Sequence, residues 1–190
     1  VTEYCAGWIQ SWGVHHMDIG LWGMPELHGS TLEVSGDAEF AEEGDADVSF
    51  NWNVDLVAPS GLTMHFTSDG RAKFGHGVRF EGDKGWVHVT RGGIDASSKS
   101  LLTASFKPGA QRLPVSKDHQ RDFLHCMRTR AEPVAPALAC HRATTATLVA
   151  DIATRAGRKL TWDWKAERFI GDELANRRLN RAMRAPWSLT

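Results

Sequence analysis

The chain has 190 residues, 42% of them apolar and 24% charged, with a formal net charge of −1. That length suits one domain spanning 1–190 and is enough to bury a core. The charge balance leaves no electrostatic footprint for nucleic acid or an anionic membrane, so neither is expected as a partner. No run of 18 apolar residues occurs. Cys5, Cys126 and Cys140 are odd in number, lie far apart and form no CxxC pair, so no disulfide framework is expected. A reducing compartment, the cytoplasm, follows as the expected location. The chain opens on Val1, almost inside a helix start. It reads as a protein whose front has been removed or not included, and an export signal could have been lost with it.

The first motif is "GWIQSWGVHHMDIGLWG", Gly7 to Gly23. Residues 14 to 23 read as a short helix stopped by Gly23 and Pro25. His15 and Asp18, three apart, fall on one helical face. His16 points about 100° away round the helix. The H-H-x-D run lacks the i, i+4 spacing of helical metal ligands, and no metal is expected. Trp12 and Trp22 flank His15; they can stack on a sugar ring or pack into the core.

From residue 31 to about 95 the pattern alternates with period two and is cut by Pro59-Ser60-Gly61, Asp69-Gly70 and Asp83-Lys84-Gly85. This predicts five or six strands in an antiparallel sheet. In "VSFNWNVDL", Val48, Phe50, Trp52, Val54 and Leu56 are expected to share the buried face. Helical patterning returns in "KDHQRDFLHCMRTR", with Ser116 as N-cap and Phe123, Cys126 and Met127 as the apolar stripe. "LACHRATTATLVADIATRAGRKL" predicts a longer helix closed by Gly157. A last helix is expected from about Asp172 to Asn180. Strands in a meander flanked by helices make an α+β layer architecture, a predominantly antiparallel sheet with helices on one face.

Taken together, these segments resemble the C-terminal domain of the Gfo/Idh/MocA oxidoreductases. "GWIQSWGVHHMDIGLWG" is similar to that family's G-G-x-L-x-D-x-G-x-H-x-x-D segment. "RFEGDKGWVHVTRGGIDAS" is similar to its F-E-G-x-x-G-W-I-x-V-x-R-G strands. "HQRDFLHCMRTRAEPVAPALACHRATTATLVADIATRAGRKLTWD" resembles its paired helices about a proline break, and "FIGDELANRRLNRAMRAPWSL" resembles its ending in a bacterial subgroup. The resemblance covers nearly the whole chain. It implies a substrate-binding and oligomerisation domain acting on a sugar or polyol. The complete family enzyme uses NAD(P), held by an N-terminal Rossmann domain that also carries a catalytic lysine in an E-K-P motif. No G-x-G-x-x-G in a strand–turn–helix context and no E-K-P is present here, so this chain alone is expected to bind no cofactor.

By the same resemblance His15 matches the family's catalytic histidine, exchanging a proton with the substrate hydroxyl. An ordinary pKa of about 6.5 gives histidine both forms near neutrality. Asp18 would orient His15 or bind substrate. The family's aspartate four residues before the histidine falls on Ser11, which can hydrogen-bond but carries no charge. Ser11, Trp12, Arg91 and His141 are the expected substrate-binding residues; His141 matches the histidine of the family's G-H-R helix. Packing or capping is the competing role for His141, and a subunit interface for Arg91. The family's open sheet face implies a homo-oligomer. Two further readings remain: a stand-alone carbohydrate-binding or assembly module, and a sugar lyase, epimerase or hydrolase that needs no nicotinamide.

Overall fold

The computed structural model describes residue 2, residues 4–110 and residues 112–188. Its elements are α1 (Trp8–Ser11), α2 (Gly13–Gly23), β1 (Thr31–Phe40), β2 (Ser49–Val57), β3 (Thr63–Thr67), β4 (Val78–Gly82), β5 (Gly85–Thr90), β6 (Gly93–Ala96), α3 (Lys99–Leu102), α4 (His119–Thr129), α5 (Ala137–Ala156), β7 (Leu160–Asp163), β8 (Arg168–Phe169) and α6 (Glu173–Asn176). The class is α+β. The strands form two sheets rather than the single one expected. One has the order β3-β2-β1-β7-β8 and the other β4-β5-β6. Every described strand pair is antiparallel.

The division falls after β3. Ser68 is tied to β2 by its backbone N–H on the Trp52 carbonyl, 3.1 Å. The chain then makes a single 3₁₀ turn, Asp69–Arg71, and leaves the sheet. A meander would set the next strand beside β3; instead β3 ends the five-stranded order, and the sheet is extended on the other side, where β7 lies beside β1. Leu160 and Trp162 of β7 pair with Val34 and Leu32 of β1.

α1, α2 and α5 cover one face of the five-stranded sheet. Between them lies one core, in which Ile9, Met17, Leu27, Leu32, Val34, Val54, Leu56, Val149 and Phe169 are fully enclosed. Each such large side chain contributes roughly 1.5–3 kcal/mol relative to exposure. α5 presents Ala143, Ala146, Ala150 and Ala153 to that core, so small side chains let its backbone sit close to the strands. Gly157 ends α5 at φ 62°, the left-handed conformation of a helix C-terminus.

Three local expectations are corrected. Phe50 is exposed although Trp52, Val54 and Leu56 on the same strand are buried. The register shifts after Glu39: Glu39 pairs with Asn51, but Phe40 pairs with Ser49. Phe50 is therefore the extra residue of a bulge, and alternation breaks there. The N-cap of α4 is Asp118, not Ser116. Asp118 Oδ1 accepts the Gln120 and Arg121 backbone N–H groups at 3.1 and 3.0 Å. Of the predicted α4 stripe only Cys126 is buried; Phe123 and Met127 face outward. No described helix is long and apolar enough to cross a membrane.

Candidate active site

The glycine-bounded stretch owes its composition to close packing. Gly13, Gly20 and Gly23 lie on the side of α2 that touches the sheets. A Cβ at these positions would come within 2.5 Å of the Phe66 ring, 2.4 Å of Met64 Cε and 2.2 Å of the Phe80 ring. Glycine lets the helix backbone rest on β3 and β4. With that side and Met17 turned inward, His15 is left exposed and His16 half-buried.

Trp12 sits at the junction of α1 and α2 and is partly exposed. Its ring centroid is 5.6 Å from the His15 ring, edge-on, and 6.2 Å from the Trp8 ring. The Arg91 guanidinium lies 5.5 Å from the Trp12 centroid, within cation–π range. Among the described residues no carboxylate forms an ion pair with Arg91. Trp12, His15 and Arg91 thus gather on one open surface, although Arg91 is 76 positions further along the chain than His15.

Sequence reasoning missed two members of this surface, His76 and Asp69. The His76 ring stands edge-on to His16, with centroids 4.5 Å apart, and lies 6.3 Å from Trp12. Its Nδ1 is 3.0 Å from Asp69 Oδ1. Both residues belong to the segment between β3 and β4. That segment is anchored at its start by Ser68, bonded to Asn51, and by Arg71, which bridges Asp37 and Glu39 of β1. At its end Gly77 has φ 134°, and a Cβ there would meet the Val89 carbonyl at 2.5 Å. No sequence motif marks this pairing, because it joins a loop to a helix far earlier in the chain.

Asp18 is half-buried. Burial pushes its carboxyl above the ordinary range, while a hydrogen bond from Trp22 and the charge of His15 oppose the shift. Ser11 is exposed at the end of α1 and its backbone N–H caps onto the Gly7 carbonyl, 2.8 Å. His141 engages a different part of the molecule: its Nε2 lies 2.6 Å from Glu167 Oε1, on the turn between β7 and β8. Two surface depressions lie elsewhere too. One of about 370 Å³ runs along α4 beside Arg121, Leu124 and Arg128. The other, about 320 Å³, lies between Thr31, Glu33, Val57 and Thr161 on the uncovered sheet face. Among the described residues no group of three or more His, Cys, Asp or Glu is arranged to hold a metal ion.

His16 titrates below the ordinary histidine value of 6.5, first because it is desolvated and then because His76 is adjacent; Asp69 opposes, and His15 and Arg91 add smaller depressions. The sign of the consequence follows by linkage. The unfolded chain binds this proton more readily, so the contribution of His16 is fully present above pH 6.5 and is lost as pH falls through its folded value. His28, also depressed by burial, acts in the same direction. Calorimetric melting is expected to drop as pH falls below about 6.5, the ordinary histidine value, and His16→Asn to reduce that drop. An unchanged pH slope in the variant would contradict the assignment.

Several solved structures share the fold. An NAD-binding protein from Listeria innocua aligns at a TM-score of 0.54 and 16% identity, over 80% of this chain and 47% of that one. An aldose-aldose oxidoreductase from Caulobacter crescentus, complexed with glycerol, aligns at 0.53 and 19%, over 77% and 45%. An oxidoreductase from Agrobacterium radiobacter, in complex with NAD+, L-tartaric acid and magnesium, aligns at 0.51 and 14%, over 83% and 49%. The chain spans about half the length of these proteins. No curated protein shows significant similarity to it. Residues 3–189 match the Gfo/Idh/MocA family described as "Oxidoreductase family, C-terminal alpha/beta domain", and the chain belongs to that family.

Proposed function

We propose that this chain is the substrate-binding and oligomerisation domain of an NAD(P)-dependent sugar or polyol oxidoreductase, with His15 as the proton-transfer residue. One observation carries the reading. His15, which the resemblance matches to the family's catalytic histidine, is solvent-accessible and stands beside an indole, with Arg91 and His76 on the same surface. An indole face suits the C–H face of a sugar or polyol, and an imidazole within hydrogen-bond reach of a hydroxyl can take or return its proton. Asp18, on the same helical face, would hold the imidazolium formed. The glycerol and NAD+ found with two similar proteins agree with this class of substrate and cofactor. Oligomerisation would use the sheet face opposite α5, which carries Glu33, Asp37, Glu39, Asn53 and His65.

The residues described here do not fit a dinucleotide. A Rossmann grip needs a parallel βαβ unit with its glycine loop at a helix N-terminus, and all described strand pairs are antiparallel. The contribution of this chain is therefore to bind and orient substrate and to move a proton. Isothermal titration of the 190-residue chain with NAD+ and NADH is expected to show no binding in the micromolar range. Micromolar binding would contradict the reading.

A further inference from the structure

We propose that His76 is a substrate-binding residue of the same site, held by Asp69 so that its Nε2 accepts a hydrogen bond from a second hydroxyl of a polyol. The inference rests on the reading of the His15 surface as a polyol site and adds the group that selects for more than one hydroxyl.

Three described histidines pair with a carboxylate: His65 with Asp55, His141 with Glu167 and His76 with Asp69. His65 stands on the open sheet face and His141 on the β7–β8 side. Only His76, among these three, also touches the rings of Trp12 and His16. The Asp69 carboxylate accepts, so the Nδ1–H of His76 donates to it, at 3.0 Å to Oδ1 and 3.2 Å to Oδ2. In the neutral imidazole this assigns the proton to Nδ1 and leaves a lone pair on Nε2. Among the described residues no protein group hydrogen-bonds that Nε2.

Trp12 supplies the scale. Its ring centroid lies 5.6 Å from that of His15 and 6.3 Å from that of His76. A carbon chain lying over the indole can therefore reach both imidazoles with two of its hydroxyl groups. An acceptor lone pair at His76 favours an O–H donor and disfavours a carboxylate or phosphate oxygen at that position. The site is then matched to a neutral polyhydroxylated stretch rather than to a simple alcohol. The position of His76 is also fixed by backbone, since Gly77 follows it in the left-handed region with no room for a side chain against β5.

The test is ring ¹⁵N NMR of the histidines in the 190-residue chain, first free and then titrated with sorbitol. The expected result is an Nδ1-protonated His76 in the free chain, and sorbitol-dependent shifts at both His15 and His76. Asp69→Asn, an exposed substitution, is expected to abolish the tautomer preference. It should also raise the sorbitol Kd about 2- to 10-fold, the loss of one hydrogen bond, with His15 still responding. An Nε2-protonated His76 in the free wild-type chain would overturn the inference without recourse to any variant. Shifts at His15 alone, or an unchanged Kd in Asp69→Asn, would overturn it and leave the polyol-site reading standing. No sorbitol response at His15 or His76 would overturn both.

Discussion

Replacing His15 with asparagine is expected to lower kcat of an oxidoreductase carrying this domain by about 10²–10⁴-fold, the usual contribution of a positioned proton-transfer group. KM should change little, because the introduced amide keeps hydrogen-bonding capacity and Trp12 and His76 still hold the substrate. A fall in kcat and kcat/KM together is the signature of an interaction made in the transition state. The pH profile carries the same information: the limb contributed by an imidazole should vanish in the variant. The side chain is solvent-exposed on α2, so little core packing is lost. A kcat within about threefold of the parent, well short of that range, would remove His15 from the mechanism.

The second large effect concerns stability. Asp151 and Arg155 form a pair on α5, Oδ2 to Nε 2.8 Å, with both side chains largely buried. Arg155 also donates to the Asp47 carbonyl at 3.0 Å and lies over the Phe40 ring, 4.8 Å from its centroid. It thus fastens the C-terminal half of α5 to the end of β1 and to the loop that follows. Arg155→Met strands a buried carboxylate, and removing one partner of such a pair costs about 3–5 kcal/mol. Because Arg155 keeps some contact with solvent, the lower end, about 3 kcal/mol, is expected. Urea unfolding measures it. The double variant Asp151→Leu with Arg155→Met should recover most of the loss, since an apolar pair of similar volume avoids the desolvation of two charges. A single variant within about 0.5 kcal/mol of the parent, the range of ordinary surface changes, would contradict the account.

The sequence was most legible where chemistry is local. Period-two alternation placed the strands of β1 to β5, and the spacing of apolar residues with Gly157 placed α5. The histidine segment was recognisable because its glycines, tryptophans and H-H-x-D run are contiguous. What local patterning could not supply was pairing across long stretches of chain. β7 is short, and its partner β1 lies far earlier in the chain, so the split into two sheets had no local signal. Phe50 obeys the alternation of its neighbours and is displaced only by a bulge set against Phe40. The Asp69–His76 pair is invisible for the same reason. It looks like an ordinary turn until Ser68 and Arg71 fasten the loop to β2 and β1, which brings His76 against His16. His141 shows the converse: a residue matched by resemblance whose ring engages Glu167 instead of the His15 surface.

The central claim is that the α2 surface around His15 is where a polyol meets this protein. A crystal structure with a soaked polyol tests it most directly. The account predicts a carbon chain lying over the Trp12 indole, with one hydroxyl about 2.6–3.2 Å from a ring nitrogen of His15. Polyol density confined to the depression along α4 or to the sheet-face depression beside Thr31 and Val57, with His15 and Trp12 untouched, would contradict it.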